Sequence, residues 1–163
     1  MLKVVYDVDD TLWGLNDFIT KLHGIDIRKI KRYKTIENDE LTEEEKRLII
    51  GSYGDPEIFK QLLFYEGHER LFDLQVFQMA DIWISSASLN DAIRDIKRER
   101  LKELPNIDMG HVVLTSGSDP FQGRVPGDIL VDDCVKNILD HDFAYNIMLD
   151  KTYNHSEEDA QAI

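Results

Sequence analysis

The chain has 163 residues, of which 42% are hydrophobic, and a formal net charge of -13. That length suits one domain with at most a small inserted subdomain, and that apolar content excludes a wholly disordered chain. So acidic a surface repels DNA, RNA and anionic membrane, so neither polymeric nucleic acid nor a membrane is an expected partner. A small anion can still bind where a cation or backbone amides reverse the local field.

Leu2 to Tyr6 is a short apolar, β-branched run that ends in acids, and it reads as a buried strand. Asp17 to Ile50 is rich in charge and reads as helices with polar faces. Within it, Thr42-Glu43-Glu44-Glu45 has the form of a capping box, Thr42 as N-cap and Glu45 reaching back. Gly51 to Pro56 reads as a break, and Glu57 to Phe64 as another helix. Gly67 to Ala80 resembles an amphipathic helix with Leu71, Leu74, Phe77 and Val76 inward.

Asp81 to Ile84 is strand-like and Ser85 ends it. Leu89 to Leu104 reads as a helix with Ala92, Ile93, Ile96 and Leu101 inward. His111 to Leu114 is the next strand, and Asp119 to Gly127, with two prolines and two glycines, a loop. Ile129 to Val131 reads as a strand followed by Asp132-Asp133, Val135 to Leu139 as a short helix and Asn146 to Leu149 as a last strand. Strands alternating with helices predict a parallel sheet covered on both faces. The stretch from Trp13 to Tyr65 is too long for a simple crossover and is expected to be a helical insertion over the sheet edge.

A lone cysteine, Cys134, permits no internal disulfide and fits a reducing cytosol. The start, Met1-Leu2-Lys3-Val4, lacks a signal-peptide pattern and no apolar run approaches membrane-spanning length, so a cytoplasmic location is expected.

Ligands of open α/β sheets bind beyond the carboxyl ends of the strands. Three apolar runs end there in polar pairs: Asp7 with Asp9, Ser85 with Ser86, and Asp132 with Asp133. If these strands are neighbours the pairs converge. Four carboxylates in one crevice repel one another, a cost a divalent cation removes, and hard oxygen donors suit Mg2+. The five histidines are scattered, with no zinc spacing and no expected catalytic role. A cation beside Asp7 also explains how a carboxylate can attack an anionic phosphate to give an aspartyl phosphate. Asp9, two residues on, falls on the same side of an extended chain and suits general acid–base work.

These motifs resemble those of haloacid-dehalogenase-like (HAD) phosphatases. Asp7-Val8-Asp9-Asp10-Thr11 is similar to the family's first motif, Ile82-Trp83-Ile84-Ser85 to its second, and Gly127 to Asp133 to its fourth. The resemblance implies Asp7 as nucleophile and metal ligand. It implies Asp9 as acid/base with its backbone carbonyl on the metal, and Asp132 and Asp133 as metal-site acids. It implies a phosphate pocket drawing on Asp9, Asp10, Thr11, Ser85 and Ser86. A narrower resemblance is to the 5'(3')-deoxyribonucleotidase branch. It rests on Ile58-Phe59 followed by Leu62 and Gly67, on Val112 to Thr115, and on Tyr153-Asn154 after Ile147-Met148-Leu149.

One departure stands out. The family's third motif carries a lysine that neutralises the phosphate, whereas the spacing back from Asp132 lands on Gln122. Arg124, two residues further on, is one substitute and Lys136 on the next helix another; otherwise the site is weakened. Arg supplies charge and bidentate bonds but reaches differently from Lys. Trp13, Ile58 and Phe59 are candidate substrate contacts from the cap, with core packing as the plainer reading. Cys134 reads as a small buried filler.

The expected architecture is thus a three-layer α/β HAD (Rossmann-like) core, residues 1–12 and 66–153, with a parallel sheet and a small helical cap, residues 13–65, inserted after the first strand. Residues 154–163 form a polar tail. The expected activity is Mg2+-dependent hydrolysis of a small phosphomonoester, a nucleoside monophosphate being favoured; a homodimer is compatible with it. The alternatives are a phosphatase for another metabolite such as a sugar phosphate, or a weakly active HAD-like binding or regulatory protein.

Overall fold

In the computed structural model, which describes residues 1–117, 125–139 and 142–155, the first β-branched run forms strand β1 (Leu2–Tyr6). β2 (Ala80–Ser88), β3 (Val112–Ser116), β4 (Ile129–Asp132) and β5 (Tyr145–Met148) complete a sheet in the order β3-β2-β1-β4-β5. All four pairings are parallel. Parallel strands need covered faces, and alternation along β1 supplies both. Val4 enters the larger apolar cluster, with Ile82, Ile84, Val112 and Val131. Val5 enters the smaller one, with Val125, Leu130 and Ile138. Gly127 runs so close beneath β1 that a Cβ there would lie 2.8 Å from Val5 Cγ2 and 3.1 Å from the Lys3 carbonyl.

Between β1 and β2 lie helices α1 (Leu15–His23), α2 (Glu43–Tyr53) and α3 (Pro56–Gln61), with 3-10 turns at Ile27–Lys29 and Thr35–Glu37. The capping box at Thr42 and Glu45 forms in both directions, at 3.2 and 2.8 Å. The break expected over residues 51–56 narrows to Gly54 and Asp55; α2 runs through Gly51 to Tyr53, because Ile49 and Ser52 are buried and tertiary packing outweighs the glycine. The chain restarts at Asp55, which caps α3 ahead of Pro56 at its first turn. Ile19, Ile25, Ile30, Ile49, Ile58 and Phe59 share the larger cluster with the strands. The insertion therefore sits on the same core as the sheet.

The amphipathic helix expected over residues 67–80 shrinks to a 3-10 turn at His68–Arg70 and one helical turn, α4 (Asp73–Val76). Its buried anchor is Phe72, while Leu74, Val76 and Phe77 are exposed. Too few residues follow the 3.6-residue stripe to repay helix nucleation. β2 continues four residues past the predicted end at Ile84, because its pairing with β3 runs on to Ser88 opposite Ser116. α5 (Asp91–Leu101) starts at Asn90, whose side chain accepts from Ile93 N at 2.9 Å. Its buried face is Ile93, Lys97 and Leu101, and Ala92 is exposed. α6 (Val135–Leu139) lies where predicted. No helix among the described residues is long and apolar enough to cross a membrane.

Candidate active site

β1 ends at Tyr6, but Asp7 N still donates to Val131 O at 3.0 Å, which keeps Asp7 beside β4. The chain then folds back over Val8, whose carbonyl accepts from the amides of Thr11, Leu12 and Trp13. Asp10 takes the left-handed conformation at φ 55° that this reversal requires. Its carboxylate is committed to Asn16, accepting from the backbone N at 2.9 Å and from Nδ2 at 2.6 Å. The turn is thereby tied to the start of α1.

At the adjacent ends of β1 and β4, one oxygen each from Asp7, Asp132 and Asp133 lies within 4.8 Å of the others. Asp132 also accepts from Cys134 N at 2.8 Å and Asn137 Nδ2 at 3.0 Å, so it opens α6 while facing the cluster. Asp133 accepts from the hydroxyls of Tyr153 and Thr11. Asn154 Nδ2 donates to the Asp133 carbonyl at 3.2 Å and to Leu149 O at 2.6 Å, locking this support in place. Burial, then mutual repulsion, holds the Asp7 carboxyl well above the ordinary range, with Lys97 opposing. Burial pushes Asp132 up to about 7, against the hydrogen bond from Cys134. Asp133 is raised by burial against the Tyr153 bond, and burial with the Asp133 charge raises Asp10 to about 7. Three desolvated oxygen donors that disfavour their own ionisation suit a hard divalent cation.

Asp9 turns away from that cluster. One oxygen accepts from Trp13 Nε1 at 2.9 Å and the other from Lys97 Nζ at 2.5 Å. Lys97 is fully buried on α5, and its other two protons go to Ala87 O at 2.8 Å and Ser86 Oγ at 3.2 Å. Three donors meet three acceptors, the condition for keeping an ammonium inside a fold. Lys97 was missed by sequence reasoning, which looked for the cation after β3. The signal was present: Lys97 is four residues after Ile93 and four before Leu101, on the inward stripe of α5.

A cleft of about 670 Å³ opens over these groups, lined in part by Asp7, Asp9, Asp10, Ser85, Ser86 and Lys97. Lys136 and Phe59 line it too, and so do Tyr33 and Tyr53, which the sequence did not single out. Trp13 and Ile58 do not; both are buried in the core, Trp13 against Phe64 with ring centroids 5.4 Å apart. Arg124, like Gln122, lies outside the described residues.

No family model and no curated protein matches the sequence. Solved structures do match in shape. A phosphonoacetaldehyde hydrolase-like protein from Oleispira antarctica is 16% identical with a TM-score of 0.53, over 99% of this chain and 78% of its own. A hydrolase from Pseudomonas syringae is 11% identical with a TM-score of 0.42, over 83% and 76%. A HAD-superfamily hydrolase of subfamily IA from Geobacter sulfurreducens is 11% identical with a TM-score of 0.45, over 94% of both chains. The parallel five-stranded sheet and its helices are thus an α/β, Rossmann-like fold shared with the Oleispira protein.

Proposed function

We propose that the protein is a divalent-cation-dependent phosphomonoester hydrolase of the HAD type, with a nucleoside monophosphate as its substrate. The observation that carries the reading is the meeting of Asp7, Asp132 and Asp133 at adjacent strand ends, over a cleft that also holds Ser85 and a buried lysine. The motif resemblance supports the same chemistry. The cleft volume is in the range usual for small-molecule sites.

Mg2+, held by Asp7, Asp132, Asp133 and the Asp9 carbonyl, would offset the charges of nucleophile and phosphate. Ser85 and Ser86, with the amides after Asp9, receive the phosphate oxygens. An Asp7 oxygen forms a bond to phosphorus as the bond from phosphorus to the ester oxygen breaks. Asp9 hands that oxygen its proton, then takes one from the water that attacks the aspartyl phosphate, and inorganic phosphate leaves. Lys97 supplies the positive charge for which the sequence offered Arg124 or Lys136. In the resting site it neutralises Asp9.

The test is phosphate release from p-nitrophenyl phosphate with Mg2+. Release by the native protein and none by Asp7→Asn is expected; equal release from both would overturn the reading. A panel of 5'- and 3'-nucleotides beside sugar phosphates then decides the substrate, and a preference for sugar phosphates would rule out the nucleotidase assignment.

A further inference from the structure

Trp13 is fully buried, and its indole Nε1 donates to Asp9 Oδ1 at 2.9 Å. A buried indole N–H needs an acceptor, but a neutral carbonyl is enough for that. Here the acceptor is a carboxylate that lines the cleft, the side chain proposed to move the proton. Lys97 holds the other oxygen at 2.5 Å, so each oxygen of Asp9 has its own donor. The two donors differ in kind. An ammonium is a point charge with rotatable protons, whereas an indole N–H has one direction, fixed by its ring. That ring is itself held. Trp13 N donates to Val8 O at 3.3 Å, and backbone bridges pair Trp13 with Asp9 and with Phe64 at the end of the insertion. The Trp13 and Phe64 rings lie 5.4 Å apart. Phe64 in turn stacks with His68 at 5.2 Å and has the Arg100 guanidinium 5.7 Å from its ring centroid. Helix α5 therefore reaches Asp9 twice, directly through Lys97 and indirectly through Arg100, Phe64 and Trp13.

We infer that Trp13 is a positioning residue for proton transfer: its indole fixes the direction of the Asp9 carboxyl and so aims its proton at the ester oxygen. The inference rests on the proposed phosphatase for the role of Asp9. As the bond from phosphorus to the ester oxygen breaks, its electron pair stays on that oxygen. The oxygen takes the proton from Asp9 and leaves as an alcohol, and Asp9 is left as a carboxylate. A misdirected carboxyl harms the departure of an alkoxide, which is too basic to leave unprotonated. It harms the departure of p-nitrophenolate far less, because that anion is stable without a proton.

The test compares native protein with Trp13→Phe and with a protein in which benzothienylalanine replaces Trp13. In that isostere sulfur stands for the indole N–H, so the packing survives even if Trp13→Phe fails to fold. kcat/KM is measured on glycerol phosphate and on p-nitrophenyl phosphate. It covers only the steps up to departure of the alcohol, so hydrolysis of the aspartyl phosphate, common to both esters, does not enter. Each variant should lower kcat/KM for glycerol phosphate about 10–100-fold more than for p-nitrophenyl phosphate. Equal losses on the two esters would overturn the inference and leave the phosphatase standing, since a loosened site slows both alike. A second arm needs no turnover. The chain has two tryptophans, and Trp83 donates to Asp81 instead. In the nuclear magnetic resonance spectrum, Asp9→Asn should move the indole N–H resonance that Trp13→Phe removes and leave that of Trp83 in place. An unmoved Trp13 resonance would overturn the inference. A moved resonance in a protein that turns over neither ester would keep Trp13 as the anchor of Asp9 and remove the phosphatase.

Discussion

Lys97 Nζ lies 2.5 Å from Asp9 Oδ2, and the lysine is fully buried while the Asp9 side chain keeps 27% exposure toward the cleft. The pair joins helix α5 to the loop after β1 across 88 residues of sequence. A positive charge held this deep has two consequences. It offsets an acidic cluster that otherwise repels a phosphate, and its loss leaves Asp9, Ala87 O and Ser86 without their shared donor.

Lys97→Met keeps the length of the stem and removes the charge. It should lower kcat/KM by about 10²–10³-fold, the usual effect of deleting one preorganised donor from a site where charge develops. Steady-state kinetics on p-nitrophenyl phosphate checks this, and activity within threefold of native would show that Lys97 is structural only. Lys97→Arg should not rescue, because a larger planar fork has no room in a position with no exposure.

Cation binding should stabilise the protein, and the size of the effect depends on pH. Asp132 and Asp10 sit near 7 when folded, above their unfolded values near 4. The folded state therefore holds protons that the unfolded state has lost. Their contribution is fully present below about pH 4 and falls away as pH rises through about 7. In EDTA the melting temperature should drop between pH 5 and 7.5. Mg2+ at a hundredfold excess over its dissociation constant should restore about 2.7 kcal/mol at pH 7.5, about 5–10 °C for a chain of this size. At pH 5 the shift should shrink, because protons compete for the same oxygens. Thermal melts with and without Mg2+ decide it; an equal shift at both pH values would show that the cation does not bind this cluster.

Tyr153→Phe removes the hydroxyl that Asp133 accepts from and leaves the ring in place. Groups that orient a metal ligand from behind are worth about 10–100-fold in metal affinity. The Mg2+ concentration giving half-maximal activity should rise by about tenfold, with kcat at saturating Mg2+ reduced far less. Titrating Mg2+ against rate checks this, and an unchanged midpoint would exclude Asp133 as a ligand.

Arg100→Ala should destabilise while removing no side chain that lines the cleft. The guanidinium donates to Lys60 O and Leu62 O at 2.8 Å and to Phe59 O at 3.4 Å, satisfying carbonyls at the end of α3. Losing charged bonds to partly buried carbonyls costs about 2 kcal/mol, about 4–8 °C. A melting temperature within 1 °C of native would show that the clamp is idle.

The strands were legible because their signals are local. A run of Val and Ile closed by acids says strand, and its place before Asp7 or Asp132 marks which end carries chemistry. The capping box at Thr42 was legible for the same reason. What escaped depends on partners distant in sequence. β2 runs to Ser88 only because β3 is there to pair with it, and four consecutive small residues carry no strand signal of their own. Phe72, not Phe77, is buried because the sheet lies on that side. Lys97 was passed over because a lysine on a charged helix normally faces water; only its four-residue spacing from Ile93 and Leu101 marked it as inward. Trp13 packs in the core, the plainer of its two readings, and what the sequence did not show is that its indole also holds Asp9.

Lys97 and Arg100 are neighbours on one helix, three residues apart, one serving Asp9 and the other gripping α3. A single rigid rod therefore sets both where the Asp9 ion pair sits and where the insertion ends. Transplanting residues 13–65 alone onto another sheet of this shape would sever that linkage. The transferable module is the insertion together with α5, and grafts that break between them lose the clamp on the end of α3.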